Sequence, residues 1–275
     1  MTAQNLADVL RDMEYPGRGI VLGRSVDVKD VAVYFVTSRS PENQMRVLRH
    51  RNGAVWSEPT EEGMRNLKPQ DVNSSLIFYP AFFEKDGFIG VSNGAQTRLV
   101  YNQFVRSNGL QPLPALTSSL NEPNFVPDPK YGQVDITTYE PDSPNNTPRI
   151  SGAVLKNDLA FAIARLNASN GRPEFFSYGH VVGKGHLLTT YTGENKASGV
   201  PLPSFKGSPI EVNLNGFGSA QDIVNVVYDA LGPKTGGKDF RVGVLGVYSF
   251  AGKTDMVIKN REAKVGEWNG GIRSR

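Results

Sequence analysis

Cysteine is absent from all 275 residues, and that one absence removes disulfides, thiolate metal sites and a cysteine nucleophile. Whatever chemistry the chain performs is left to oxygen and nitrogen groups. Histidine is scarce, with three copies at His50, His180 and His186. No stretch approaches the roughly 18 consecutive apolar residues of a membrane-spanning helix. The opening MTAQNLADVLRDMEYPGRG has no basic segment followed by an apolar run, so a cytoplasmic protein with no membrane partner is expected. An excess of one charge is lacking too. The 30 Lys and Arg stand against 27 Asp and Glu, a formal net charge of +3, and they are interspersed, so nucleic acid is not an expected partner. Two or three arginines gathered around one phosphate would still fit this balance.

What is present suits a globular chain with a substantial core, expected as one domain over residues 1–275. Leu6, Val9, Leu10 and Met13 stand at helical spacing before EYPGRG stops the helix. A second helix is expected in SAQDIVNVVYDALGP, with Ser219 as N-cap, Asp222 three residues on, and Ile223, Val226, Val227 and Leu231 along one face. Between them come strand candidates rich in Val, Ile, Phe and Tyr: RGIVLG, DVAVYFVTS, SSLIFYPAFF, GFIGVS, QVDITTY, EFFSYGHVV, HLLTTYTG, FRVGVLGVYSF and TDMVIK. LAFAIARLN could be helical, but its alternation of large and small residues favours a strand. Many strands and few helices predict an α+β fold. Residues 111–132, QPLPALTSSLNEPNFVPDPKYG, read as a long proline-rich loop, and residues 259–275 as a loose polar tail.

The glycines of GRGIVLG do not follow G-x-G-x-x-G, no P-loop spacing occurs, and there is neither a G-x-S-x-G elbow nor an H-E-x-x-H. In GHVVGKGH a turn at Gly183 to Gly185 could set His180 and His186 across a hairpin, but no third ligand stands nearby. No metal and no cofactor are therefore expected. The exits of strands carry more. VAVYFVTSRSPENQMRV runs from an apolar strand into Ser38, Arg39, Ser40, Asn43 and Arg46, a donor set suited to a phosphate and equally to a solvated turn. GFIGVSNGAQT ends its strand in Ser92, Asn93 and Gly94, and TTYTGENKASG in Thr190, Tyr191 and Thr192. TYEPDSPNNTPRI holds Glu140, Asp142 and Arg149 among three prolines, which stiffen the loop between them.

Taken in order, YPGRGIVLG, SRSPENQMRV, SNGAQT, TYEPDSPNNTPRISG and TTYTGENKASGVPLPSFKG resemble the inosine monophosphate (IMP) cyclohydrolase family of archaea and its bacterial relatives, the last as in the bacterial branch. The resemblance implies a four-layer αββα sandwich like that of N-terminal-nucleophile hydrolases. It also implies dehydrative closure of the formamido-imidazole-carboxamide ribonucleotide to IMP in purine biosynthesis. It implies Glu140, Tyr79 and Arg39 as catalytic residues, Tyr79 matching the tyrosine of a Y-N-A pattern. For substrate binding it implies Arg18, Ser40, Arg46, Asn93, Gly94, Asp142, Thr147, Arg149 and Tyr191. The expected partner is a purine nucleotide, and self-assembly into a homo-oligomer is compatible. Three positions depart from the family: Met45 and Pro80 each replace an amide, and Ala95 replaces an acid. They motivate the alternative of a purine-nucleotide-binding module without catalysis. Hydrolysis of another amide would need a positioned nucleophile, and Thr2 would precede a helix rather than a strand.

Overall fold

Strands buried on both faces read as continuous apolar runs, and RGIVLG and DVAVYFVT are such runs. The computed structural model describes residues 3–68, 71, 74–166, 171–197, 199–234 and 237–261. The N-terminal part contains β1 (Gln4–Asn5), α1 (Leu6–Asp12), β2 (Arg18–Arg24), β3 (Asp30–Thr37), α2 (Pro41–Gln44), β4 (Arg46–Arg51), β5 (Ala54–Pro59) and α3 (Glu61–Asn66). The middle contains β6 (Tyr79–Lys85), β7 (Phe88–Ser92), α4 (Thr97–Arg106), α5 (Pro112–Leu120), β8 (Phe125–Asp128), β9 (Gly132–Asp135), β10 (Arg149–Leu155) and β11 (Asp158–Ala164). The rest contains β12 (Glu174–Gly179), β13 (Lys184–Thr189), β14 (Ile210–Asn213), α6 (Ala220–Ala230), β15 (Arg241–Phe250) and β16 (Lys253–Asn260). The fold is α+β.

Two seven-stranded sheets carry it, in the orders β1-β14-β13-β2-β3-β15-β16 and β12-β11-β10-β7-β6-β5-β4, and β8–β9 form a separate two-stranded arm. Side chains alternate between clusters along each central strand. Ile20, Leu22, Ala32, Tyr34 and Val36 of the first sheet share one core with Phe82, Ile150, Phe161 and Ile163 of the second. Val21, Val31, Val33 and Phe35 join Leu6, Leu10, Ile223 and Val227 of α1 and α6. Ala153, Ala160 and Ala162 pack with Val100, Phe104, Leu116 and Leu120 of α4 and α5. The alternation in LAFAIA thus separates two environments: Leu159, Phe161 and Ile163 fill the inter-sheet core, while the alanines leave room for the helices. Gly19 lies opposite Phe35, whose ring covers it, since a Cβ there would stand 2.0 Å from the ring's Cζ.

The two expected helices form as read, α6 with the Ser219 side chain accepting from the Asp222 amide. Residues 111–132 depart from the loop reading. Pro112 and Pro114 occupy the first turn of α5, where a helix needs no amide donor, and Ala115, Leu116 and Leu120 bury the inner face. Residues 125–128 then form β8. The tail starts later than expected, because β16 pairs as far as Asn260; residues 262–275 lie outside those described. In SSLIFYPAFF the strand starts only at Tyr79, and in QVDITTY it ends at Asp135. RVLRHR, AVWSEP and RISGAVL are strands that apolar run length alone did not mark.

The two histidines of GHVVGKGH do not face each other across a hairpin, because β12 belongs to the second sheet and β13 to the first. His186 stacks on Tyr178, ring centroids 3.8 Å apart. His180 Nδ1 stands 3.3 Å from Asp30 Oδ1, yet Arg24 Nη2 already donates to that oxygen at 2.9 Å. A protonated imidazole would therefore bring a second cation beside Arg24. Burial, with Arg24 adding to it, pushes the His180 pKa down to about 4. The ordinary value in an unfolded chain is about 6.5, so on acidification the unfolded state takes up the proton first. The stability this group contributes is complete above pH ~6.5 and is lost as pH falls toward 4. Denaturant unfolding at pH 7 and pH 5 should show a loss of about 2 kcal/mol from this source. His180→Gln should remove that part of the difference, and an equal loss in the variant would refute the assignment.

Candidate functional site

The ends of β2 and β3, the turn carrying α2, the start of β4, residues 66–68, Asp71, Ser74, Leu76 and Ile77, the β8–β9 arm, the loop 140–147 and Tyr191 enclose a cleft of about 410 Å³. Chain geometry brings these distant segments together. Gly17 O accepts from both the amide and the hydroxyl of Thr37, at 2.8 and 2.7 Å, which aligns the approach to β2 with the exit of β3. Ser40 caps α2 by accepting from the Asn43 amide, and Gln44 Nε2 donates to Ser38 O at 2.8 Å. The donor-rich turn after β3 is thereby fixed with Arg39, Ser40 and Arg46 along the cleft.

The proline-stiffened loop supplies the acids. The Glu140 amide donates to Thr147 O at 2.8 Å, and Asp142 accepts from the Thr147 amide and hydroxyl at 2.6 and 2.5 Å. Since the Thr147 hydroxyl gives its proton to Asp142, it accepts from Tyr191 OH, 2.7 Å away. Tyr191, held high by burial, keeps its proton for that bond. Tyr15 stacks on Tyr191 and carries the Arg39 guanidinium over its ring at 5.3 Å.

Glu140 is 3% exposed. Arg18 Nη2 lies 3.5 Å from its Oε2 and Arg149 Nη1 3.9 Å from its Oε1, and Oε1 accepts no hydrogen bond. Burial raises the Glu140 pKa above the usual carboxylate range, with Arg18 and Arg149 only partly opposing it. Arg18 stays firmly charged: burial works against its charge, but Glu140 and the nearby phenols outweigh burial. Arg46 is buried as well, donating to Ser57 Oγ and Ile77 O at 2.9 and 2.8 Å. Three guanidinium groups thus gather around one buried carboxylate, an arrangement that favours an anion or a developing negative charge in the cleft.

Of the residues expected at the site, Glu140, Arg39, Arg18, Ser40, Arg46, Asp142, Thr147 and Tyr191 line the cleft. Four stand behind it. Arg149 borders a separate space of about 10 Å³ against Gln96, Ser151 and Leu120. Asn93 is fully buried, donates to Pro148 O and accepts from the Ile150 amide at 2.9 and 2.8 Å. At Gly94 a Cβ would come within 2.3 Å of Arg149 Nη1, so a glycine seats that guanidinium. Tyr79 is fully buried beneath Arg46, whose guanidinium lies 5.2 Å from its ring centroid. Residues outside the motifs are Tyr34, Lys68, Lys130 and Tyr131, while Tyr15 and Gln96 stand within YPGRGIVLG and SNGAQT without having been singled out. Tyr34 alternates correctly along β3 but is indistinguishable there from a core tyrosine.

An IMP cyclohydrolase-like protein family model matches residues 15–235. No curated protein matches the chain.

The hydroxyls of Tyr34 and Tyr79 are 3.2 Å apart. Burial alone would raise Tyr79, but Arg46, Arg18 and a hydrogen bond donated by Tyr34 outweigh it and hold the phenol below its ordinary range. Tyr34 is pushed well above it by burial and by Tyr79, so Tyr34 keeps its proton and donates to the Tyr79 oxygen once Tyr79 ionises. Tyr34→Phe should therefore raise the Tyr79 pKa. Carbon-13 NMR titration of labelled tyrosines, with Tyr79→Phe to assign the signal, measures this; an unmoved Tyr79 titration would remove Tyr34 from that role.

Proposed function

The chain belongs to the IMP cyclohydrolase-like family, and from that premise we propose that it closes the formamido-imidazole-carboxamide ribonucleotide to inosine monophosphate with loss of water. The observation that carries the reading is Glu140, a buried carboxylate of raised pKa facing a cleft between guanidinium groups. In this reaction the carboxamide nitrogen attacks the formyl carbon of the same molecule. Proximity comes from the substrate, and the enzyme aligns it and moves protons. The nitrogen–carbon bond forms as the formyl C=O becomes a tetrahedral C–OH. That hydroxyl then leaves as water: one of its protons traces to the carboxamide nitrogen by way of the site, and the other to the formamido nitrogen, whose N–H breaks as the ring C=N bond forms. The sequence changes no oxidation state, so no redox cofactor enters.

Glu140 takes the amide proton and returns it to the departing oxygen. Arg18 holds the Glu140 carboxylate, and with Arg46 it stabilises the negative charge that develops on the formyl oxygen. Arg39 and Ser40 receive the phosphate. Arg149, seated by Asn93 and Gly94, steadies Glu140 from behind, and Tyr79 acts through the Arg46 guanidinium above it. Asp142, Thr147 and Tyr191 keep the loop shaped. Stacking of the two sheets between their helices supports the four-layer αββα sandwich of N-terminal-nucleophile hydrolases. No helix among the described residues is long and apolar enough to cross a membrane, which is compatible with the cytoplasmic setting of purine synthesis. Met45, Pro80 and Ala95 do not line the cleft, which favours catalysis over the binding module that their substitution suggested.

Incubating the protein with the formylated ribonucleotide and following inosine monophosphate by absorbance tests the reading. Glu140→Gln should lower kcat by about 100-fold or more, whereas Arg39→Ala should act chiefly on KM. Absence of turnover in folded wild-type protein sinks the proposal, and wild-type rates in Glu140→Gln sink the assignment of the base. The raised Glu140 pKa places the acidic limb of the kcat/KM profile above the ordinary carboxylate range, with activity lost as pH falls through it.

A further inference from the structure

The β8–β9 arm stands outside both large sheets, and its tip, PKYG, carries Lys130 and Tyr131 to the cleft. A buried carboxylate holds that tip. Asp128, 3% exposed, accepts at Oδ1 from the Lys130 and Tyr131 amides at 3.0 and 3.3 Å. At Oδ2 it accepts from Ser74 Oγ at 2.8 Å and from the Ser75 amide and hydroxyl at 3.1 and 3.3 Å. The anchor continues to the reacting end, because two residues beyond Ser75 the carbonyl of Ile77 accepts from Arg46. A two-stranded arm has little core of its own, so five donors on one carboxylate are what fix the tip in place.

Lys130 is exposed. Its ammonium lies 5.1 Å from the Tyr131 ring centroid, and among the described residues it forms no ion pair. A hydrogen bond with Tyr131 does most to keep the group charged, and Asp71, also on the cleft wall, and Asp128 add to it. The cleft therefore has two kinds of cation. Arg46 is buried and Arg18 is engaged with Glu140, whose carboxylate repels a dianion. Lys130 and Arg39 stand where water can still reach. A phosphate monoester is the most strongly hydrated part of a nucleotide, and it costs least to bind where part of that hydration survives.

We propose that Lys130, held in place by Asp128, is a specificity-determining residue that grips the 5′-phosphate of the nucleotide, so that the β8–β9 arm selects nucleotide over nucleoside. The inference rests on the ring-closure reading and adds the end of the substrate that meets the arm. A cation fixed in advance on an anchored tip loses less freedom on binding than one on a loose loop. Lysine at this place acts as a compact charge with rotatable donors rather than as a planar fork.

The test compares wild type and Lys130→Gln in steady-state kinetics with the formylated ribonucleotide and with its riboside lacking the phosphate. Calorimetric titrations with inosine monophosphate and with inosine accompany it. Lys130→Gln should raise KM for the ribonucleotide by roughly ten- to a hundredfold with kcat little changed. It should weaken inosine monophosphate by a similar factor and leave inosine unaffected, and Lys130→Arg should restore most of the affinity. Unchanged KM and affinity in Lys130→Gln, with an active wild type, overturn the role of the arm and leave the ring-closure reading standing. Equal losses for nucleotide and nucleoside overturn it too, since they report a disturbed cleft rather than lost phosphate recognition. A folded wild type that neither turns over nor binds inosine monophosphate overturns both.

Discussion

The buried carboxylate of Glu140 between Arg18 and Arg149 is the interaction on which the rest of the site depends. The two arginines come from the first residues of β2 and β10, one in each large sheet, and the acid comes from the loop that immediately precedes β10. Removing a charge from water costs several kcal/mol even after relaxation, so each of the three needs the others in position. Asn93, Gln96 and Gly94 seat Arg149 from the second sheet. Thr190 seats Arg18 from the first, its hydroxyl accepting from the Arg18 amide at 3.1 Å. Thr147 and Asp142 then fix the loop itself. The ends of two sheets are thus brought to one point by a charge that neither could bury alone.

That dependence explains why so much of the site was legible before any geometry was known. Residues that touch the cleft sit at strand exits, where side chains leave a rigid scaffold and chemistry is concentrated. Arg39, Ser40 and Arg46 follow β3, Tyr191 follows β13, and Glu140 precedes β10, each within a polar stretch that interrupts an apolar run. Arg149, Asn93 and Gly94 were legible as belonging to the same constellation, but their depth was not. A sequence shows that an arginine follows a proline; it does not show whether the guanidinium lies in front of a carboxylate or behind it. Tyr34 was hidden for a different reason. Its place in DVAVYFVT obeys strand alternation, and only the approach of β6 from the other sheet gives its hydroxyl a partner.

The fold failed to show itself where local chemistry carried two meanings. Prolines at 112 and 114 read as loop formers, yet the first turn of a helix is the one helical setting where the missing amide costs nothing. RVLRHR has three arginines and a histidine, and its strand character comes from pairing with AVWSEP rather than from hydrophobicity. As an edge strand of the second sheet, it gains from those charges, which discourage pairing with another chain. LAFAIA was ambiguous between helix and strand because both faces are buried. Its two sizes of side chain resolve only against what each face meets, a second sheet on one side and α5 on the other.

The unpaired polar atoms give the site its character. Among the described residues, Glu140 Oε1, Arg46 Nε, and Arg149 Nε and Nη2 are buried without a hydrogen-bond partner, and each such atom costs about 1–3 kcal/mol. A fold selected for stability alone would replace this group with packed apolar side chains, often without loss. The inter-sheet core a few residues away is packed in that apolar way. Its dense packing offsets the cost of holding charge at the sheet ends, and the proline-stiffened loop keeps those charges from relaxing toward water. On the ring-closure reading we propose, the negative charge of a tetrahedral oxygen would meet Arg18 and Arg46 at the cleft, while Arg149 stays behind Glu140 and keeps its carboxylate in place. On that proposal, the same buried charges that cost the folded state stability would favour the transition state over the substrate.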